Sequence, residues 1–221
     1  AATPDVGKYA TTLGYTTPGD GGSTLYIIAA ADPGGTNHTI ALANGTFAVS
    51  QFTQLFVPQQ WGVVSGDNSA AVATANVTGL NAMFAHIQVL GASSTNPSNS
   101  TVSFLGGDYF VDDTILLSSD NHSTFPIYFN GAVLRPTVND IVVLKRPGRY
   151  PYYLGSIGSE SGNTNVYDLF IDGAGTTGCI GYFIEGSYAS IIQGCFFGRL
   201  QEGIRLEFAL MTFVTSCKWL S

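Results

Sequence analysis

Basic residues are scarce in this chain: 8 Lys and Arg stand against 15 Asp and Glu, a net charge of −7 over 221 residues. So few cations leave no basic stripe to neutralise phosphates, which argues against nucleic acid and anionic membrane as partners. Charge of either sign is sparse, at 10% of residues, so a surface of long solvated helices is not expected. Cysteine is scarce as well. Cys179, Cys195 and Cys217 are odd in number and lack CxxC spacing, so neither a metal knuckle nor a disulfide framework is implied. At least one thiol stays free unless it pairs between chains. No apolar run reaches the roughly 20 residues that cross a bilayer, so membrane insertion is not expected. His38, His86 and His122 show no metal-ligand spacing, and no Ser-His-Asp arrangement, phosphate loop or dinucleotide fingerprint occurs. No metal and no cofactor are expected.

What is present is small and apolar. Hydrophobic residues make up 45% of the chain, enough to bury a core, and 27 glycines accompany abundant Ser, Thr and Asn. That mixture suits many short strands and tight turns, so the class reads as mainly β. A neutral partner such as a glycan fits the charge balance. The start, Ala1 to Tyr9, is neither a signal peptide nor an initiator Met, which reads as a processed or excised chain. Sequons at Asn37, Asn44, Asn76, Asn99 and Asn121 would mark surface loops in a eukaryotic secretory setting.

Residues 1–56 alternate turn clusters (Pro18–Gly22, Asp32–Gly35, Asn44-Gly45) with short apolar strands and read as a small β module without site chemistry. Between Asp67 and Leu90 the apolar positions Val72, Leu80, Phe84 and Ile87 favour one helical face, with Asp67 or Ser69 as the N-cap. A polar loop, 91–100, follows, and then strands resume. Three segments near the end align, Val166–Ile171, Ile192–Phe197 and Val214–Trp219, at offsets of 26 and 22 residues. In a second register Gly181–Glu185 lies over Gly203–Glu207, again 22 apart. Helix-free repeats of this length predict a β-solenoid whose turns stack on one another.

Particular residues also carry a resemblance. Val57-Pro-Gln-Gln-Trp-Gly-Val-Val-Ser-Gly-Asp67, ahead of a helix, resembles the FGA-x-GDG entry of the pectate-lyase-like right-handed parallel β-helix superfamily. Thr101–Val111 and Ile127–Arg135 resemble its first rungs, so the likeness covers about 57–221. Leu13–Tyr26 is similar to a module that precedes such β-helices in phage and viral tailspike and tail-fibre proteins. Departures are visible: only Asp67 keeps its place in the acidic entry loop, and Leu105 stands where the family has proline. The resemblance implies an all-β fold: a right-handed parallel β-helix with a short capping helix over its first coil and an N-terminal β module at 1–56. It also implies a homotrimer, other virion tail proteins as partners, a place in the virion tail or outside the cell, and recognition of host-surface polysaccharide. Tailspike β-helices run for many more coils, so the chain reads as the head-proximal part of a longer protein, or as one whose end another subunit or domain covers.

Strand alternation sorts the candidate residues. Val166, Ile192, Val214, Leu169, Cys195 and Cys217 are expected inside, where the two cysteines, about 4.8 Å apart by strand spacing, are core rather than a reactive pair. Glu185 and Glu207 fall outside on neighbouring rungs, near the roughly 5–5.5 Å that a retaining glycosidase needs between its carboxylates. Like-charge proximity would raise the pKa of the acid in such a pair. They are the candidate catalytic residues, beside the plainer reading of a solvated pair. Phe183 and Arg205 lie in the next column, and Phe170 and Phe196 in another with Lys218 below; Phe183, Arg205, Phe170 and Phe196 are candidates for substrate binding, while exposed aromatic pairs also serve interfaces. Asp168, Gly194 and Ser216 align at a bend, where small polar residues bond the local backbone. Lys145, Arg146 and the Tyr-rich segment 149–153 form a basic aromatic cluster suited to an acidic glycan or to packing. Asp112 and Asp113, which look catalytic at first sight, read as a corner between strands. The function expected is a structural tailspike or tail-fibre component that recognises polysaccharide; the alternatives are a glycosidase or polysaccharide lyase and a fibre or adhesin without activity.

Overall fold

Turn residues divide the N-terminal segment into short strands, and the computed structural model places them in one small sheet. Its described residues are 5–33, 39–51, 55–92, 100–117, 125–147, 164–185, 190–207, 209 and 212–220. Strands β1 (Tyr9–Thr11), β2 (Leu25–Ala29), β3 (Thr39–Ala41) and β4 (Phe47–Ser50) pair antiparallel in the order β1-β2-β4-β3. The Asn44-Gly45 turn joins β3 to β4: Gly45 donates its N–H to the Leu42 carbonyl at 3.0 Å, and the Asn44 side chain accepts from Thr46. Tyr26, Ile28 and Ala48 form a small core of their own beneath this sheet.

Strand β5 (Leu55–Phe56) already runs parallel to β6 (Thr101–Ser103), so the parallel stack begins ahead of residue 57. Between them lies the helix that the periodicity predicts, α1 (Ala70–Ala92). Ser69 caps it, its hydroxyl accepting from the Val72 N–H at 3.4 Å. The buried stripe is Ala73, Asn76, Val77, Leu80, Met83, Phe84 and Ile87. Val72 lies at the edge of this stripe and is half-buried, because the 100° step per residue centres the face on Leu80 and Ile87. Asn76 is wholly buried in a helix, so this sequon marks no surface loop. Asn44 lies in a turn, and Asn37, Asn99 and Asn121 fall outside the described residues.

From β6 the chain visits three sheets in rotation. The first circuit is β6, β7 (Gly107–Val111) and β8 (Ile115–Leu116); the second is β9 (Phe125–Tyr128), β10 (Ala132–Pro136) and β11 (Val142–Arg146). The third is β12 (Thr164–Tyr167), β13 (Phe170–Asp172) and β14 (Ile180–Glu185), and the fourth is β15 (Ile191–Gln193), β16 (Phe196–Gly198) and β17 (Glu202–Glu207). Strands β18 (Phe213–Thr215) and β19 (Lys218–Leu220) open a fifth. Every third strand pairs in parallel with its predecessor, giving sheets of order β18-β15-β12-β9-β6-β5, β19-β16-β13-β10-β7 and β17-β14-β11-β8.

The register matches the sequence repeats residue for residue: Val166 pairs with Ile192 and Ile192 with Val214, while Phe183 pairs with Arg205 and Glu185 with Glu207. One hydrophobic core serves all three sheets and α1. Val166, Ile192, Leu169 and Cys195 are buried in it, and Cys217 packs against it half-buried. Val214 keeps the inward register but is 43% exposed, because β18 is the outermost described strand of its sheet. At the bend after β12, β15 and β18, Asp168 (φ 56°), Gly194 (φ 69°) and Ser216 (φ 54°) are all left-handed, the conformation that short polar residues and glycine tolerate best.

Asp112 and Asp113 form a corner. Tyr109 and Val111 before it and Ile115 and Leu117 after it are buried, while the Asp113 carboxylate accepts the Thr114 N–H at 2.7 Å. The Thr74 hydroxyl donates to Asp112, tying the helix to the first circuit.

Candidate functional site

The outer face of the third sheet, β8 to β17, collects the residues that the sequence singles out. Inward Leu144 and Tyr182 leave Lys145 and Phe183 pointing outward, and Arg205 falls in the same column as their register partner. The Lys145 ammonium lies 4.9 Å from the centre of the Phe183 ring, and the Arg205 guanidinium 5.7 Å from it. Phe183 is therefore only 8% exposed although it faces outward. A ring enclosed by two cations supports them through its electron-rich faces and offers little surface to a sugar.

Both cations of this face are already paired. Lys145 also bridges Glu185 at 3.3 Å, and Arg205 donates through Nε to Glu202 at 2.8 Å. The Arg205 hydrogen bonds hold the Glu202 carboxyl below the usual range. Glu185 and Glu207 are direct register partners on neighbouring strands, about 4.8 Å apart at the backbone. Glu185 is half-buried beside Lys145, and Glu207 is exposed. The sequence identifies the two glutamates and Arg205, and places Lys145 in a separate basic aromatic cluster, but not Glu202; that Lys145 and Glu202 join this face appears only when β11, β14 and β17 are laid side by side.

The aromatic pair Phe170 and Phe196 faces outward on the second sheet, with ring centres 4.5 Å apart and planes at 72°. Across the bend at Asp168, on the first sheet, Tyr128 and Tyr167 stack with centres 4.9 Å apart and planes at 13°. The sequence repeats do not single out these tyrosines, although both stand one residue beyond inward, register-paired positions, Ile127 and Val166. Four rings thus flank one corner over the second to fourth circuits, in adjacent strands.

Beside Phe170 lies an ion network on the same outer face. Asp172 accepts from Arg199 at 2.9 and 2.6 Å and from Arg135, which also bridges Asp108 at 3.0 Å. Burial works to raise the Asp172 carboxyl, but the hydrogen bonds from Arg199 and Arg135 outweigh it and hold the group below its ordinary value. This network joins the first circuit to the fourth and reads as a clamp. Cys195 is a buried thiol whose pKa burial pushes up to about 12, which suits a core residue rather than a nucleophile. His86 packs against Phe56 and Trp61, whereas His38 and His122 lie outside the described residues. Of the basic aromatic cluster, Lys145 is on the outer face, Arg146 is buried, and 149–153 lie outside the described residues.

The chain is thus an all-β protein of stacked parallel sheets with one helix among its described residues. No family model matches it, and no curated protein does. Two solved structures are similar to it at low identity. One is a Parabacteroides merdae protein provisionally named a glycosyl hydrolase, at 12% identity and a TM-score of 0.37 over 75% of this chain and 96% of that one. The other is Pantoea stewartii WceF, a glycan biofilm modifying enzyme with a bacteriophage tailspike-like parallel β-helix fold, at 10% identity and a TM-score of 0.33; the match covers 97% of this chain and 46% of that one. At overlaps this loose neither protein's activity transfers to this chain.

Proposed function

We propose that the three parallel sheets close as a right-handed parallel β-helix, and that this rod binds polysaccharide on its outside as a structural part of a viral tailspike or tail fibre. The observation that supports this reading is the outward aromatic set Tyr128, Tyr167, Phe170 and Phe196 at one corner. A polymer of sugar rings laid along the stack would meet one ring after another, and a rigid repeat surface presents them without an ordering cost at binding. The acidic balance and sparse charge favour a neutral, hydroxyl-rich partner. A homotrimer, contacts to other virion tail proteins, and a location on the virion or outside the cell belong to the same proposal.

The test is retention of the chain on a panel of immobilised bacterial surface polysaccharides. Retention of the wild type is expected, with affinity falling at least about tenfold in the Tyr128→Ala/Tyr167→Ala variant at an unchanged melting temperature. Failure of the wild type to bind any polysaccharide, or equal retention of the variant, would overturn the reading and leave a structural fibre. A second reading, a glycosidase or lyase, is favoured by one observation, the register pairing of Glu185 with Glu207.

A further inference from the structure

Cys195 and Cys217 occupy the same place one circuit apart. Cys195 directly precedes β16 and Cys217 directly precedes β19, and these strands pair in register, Phe196 with Lys218. The Lys218 N–H donates to the Cys195 carbonyl at 2.8 Å, so the pairing reaches the cysteines themselves. Their thiols have matching surroundings: Cys195 Sγ donates to the Gln193 carbonyl at 3.4 Å and Cys217 Sγ to the Thr215 carbonyl at 3.4 Å, and Gln193 and Thr215 are themselves register partners. Cys195 is buried in the core and Cys217 packs against it, so both side chains point the same way from adjoining strands.

Strand spacing sets their Cα atoms about 4.8 Å apart, within the roughly 4.4–6.8 Å that a disulfide spans. Parallel Cβ vectors keep the same spacing, a little above the roughly 3.5–4.5 Å of a relaxed bridge, so closure must draw the strands together. Strand β19 is the outermost described strand of its sheet and has room to give. Access differs between the two sulfurs. Burial, reinforced by the neighbouring Cys217 thiol, pushes the Cys195 pKa up to about 12, whereas Cys217 is half-buried and flanked in sequence by the exposed Val214 and Trp219. An oxidant therefore meets Cys217 first. Cys179 stands apart: it is buried ahead of β14, in another sheet, and its Sγ donates to the Val138 carbonyl at 3.4 Å.

We infer that Cys195 and Cys217, core residues in the reduced chain, form a reversible disulfide that fastens the fifth circuit to the fourth when a small-molecule disulfide such as oxidised glutathione is present. The Cys217 thiolate attacks one sulfur of the oxidant, whose other half leaves as a thiolate and takes up a proton. Cys195 then loses its proton and attacks Cys217 Sγ, displacing the second glutathione thiol. Two protein thiols become one disulfide, and one glutathione disulfide becomes two thiols. Ionised Cys195 is rare, but its place one strand away from the mixed disulfide gives it a high effective concentration. The strain of drawing two neighbouring strands together keeps the bridge open to reduction.

The test is incubation of the folded chain with excess oxidised glutathione, followed by peptide mass spectrometry without reduction. The expected product is a Cys195–Cys217 cross-link with Cys179 still a thiol, and amide exchange across residues 213–220 slowed at least about tenfold. Reduced glutathione should reverse both. Cys217→Ser should abolish the cross-link, Cys195→Ser should trap glutathione on Cys217, and Cys179→Ser should cross-link as the wild type does; melting temperatures establish that each variant is folded. The assignment is overturned if the wild type keeps its thiols or holds glutathione on Cys217 without closing, or if the bridge involves Cys179 or joins two chains. Unchanged amide exchange in the cross-linked chain would overturn the fastening.

Discussion

Asn76 holds both polar groups of the Val64 backbone, accepting its N–H at 2.7 Å and donating to its carbonyl at 2.9 Å. The same amide donates to the Phe110 carbonyl at 3.0 Å, so one buried side chain ties the entry segment, the helix and β7 together. Replacing Asn76 with Ala orphans three backbone groups at once, and a loss of about 2–5 kcal/mol is expected in urea unfolding. Asn76→Asp should be no better, because a carboxylate would face two carbonyl oxygens. Near-wild-type stability of either variant would show that the helix is held by its apolar stripe alone.

Asp172 gives the chain a defined acid dependence. Its side chain is 4% exposed and bound by two arginines, one of which, Arg199, is 56% exposed and therefore partly screened by solvent. The folded carboxyl titrates below its ordinary value of 3.8, so its stabilising effect is present above that pH and is lost as pH falls through the lower, folded value. Asp172→Asn should cost about 1–3 kcal/mol at pH 7, and the gap to the wild type should close as pH falls past 3.8 and through the lower, folded value. A gap that persists unchanged in acid would locate the effect in packing rather than charge.

The repeat at the end of the chain is legible because little intervenes between circuits. Val166, Ile192 and Val214 recur with the same flanking apolar pattern, and the structure pairs them. Earlier circuits are harder to read, since 17 residues of sequence separate Arg146 from Thr164, the bounds of successive described strands. Alternation then sorts inside from outside correctly, but it cannot tell an open outward residue from a covered one. Phe183 faces outward as expected and is nearly buried, because the cations over it come from β11 and β17. The Asp108–Arg135–Asp172–Arg199 network is invisible for the same reason: four isolated charges become neighbours only through the register of β7, β10, β13 and β16.

Thiol chemistry separates two cysteines that the repeat makes equivalent. Cys195 is buried with its pKa pushed up to about 12, whereas Cys217, one circuit on, is half-buried. Since the thiolate is the reactive form, iodoacetamide at pH 8 should label Cys217 in the native chain and spare Cys195 until denaturant is added. Mass spectrometry of the peptides decides it, and rapid native labelling of Cys195 would mean that the stack opens around Leu169.

Glu185 and Glu207 allow the enzymatic reading to be settled directly. Their register suits a carboxylate pair, but Glu185 is already bridged to Lys145 at 3.3 Å rather than left open to a substrate. The expected outcome is that the wild type binds polysaccharide without generating new reducing ends, and that Glu185→Gln and Glu207→Gln are retained on the column as the wild type is. Cleavage by the wild type that either substitution abolishes, with the melting temperature unchanged, would instead make the third sheet an active site. Cleavage that survives both glutamine substitutions would place the chemistry elsewhere on the chain and exclude this pair.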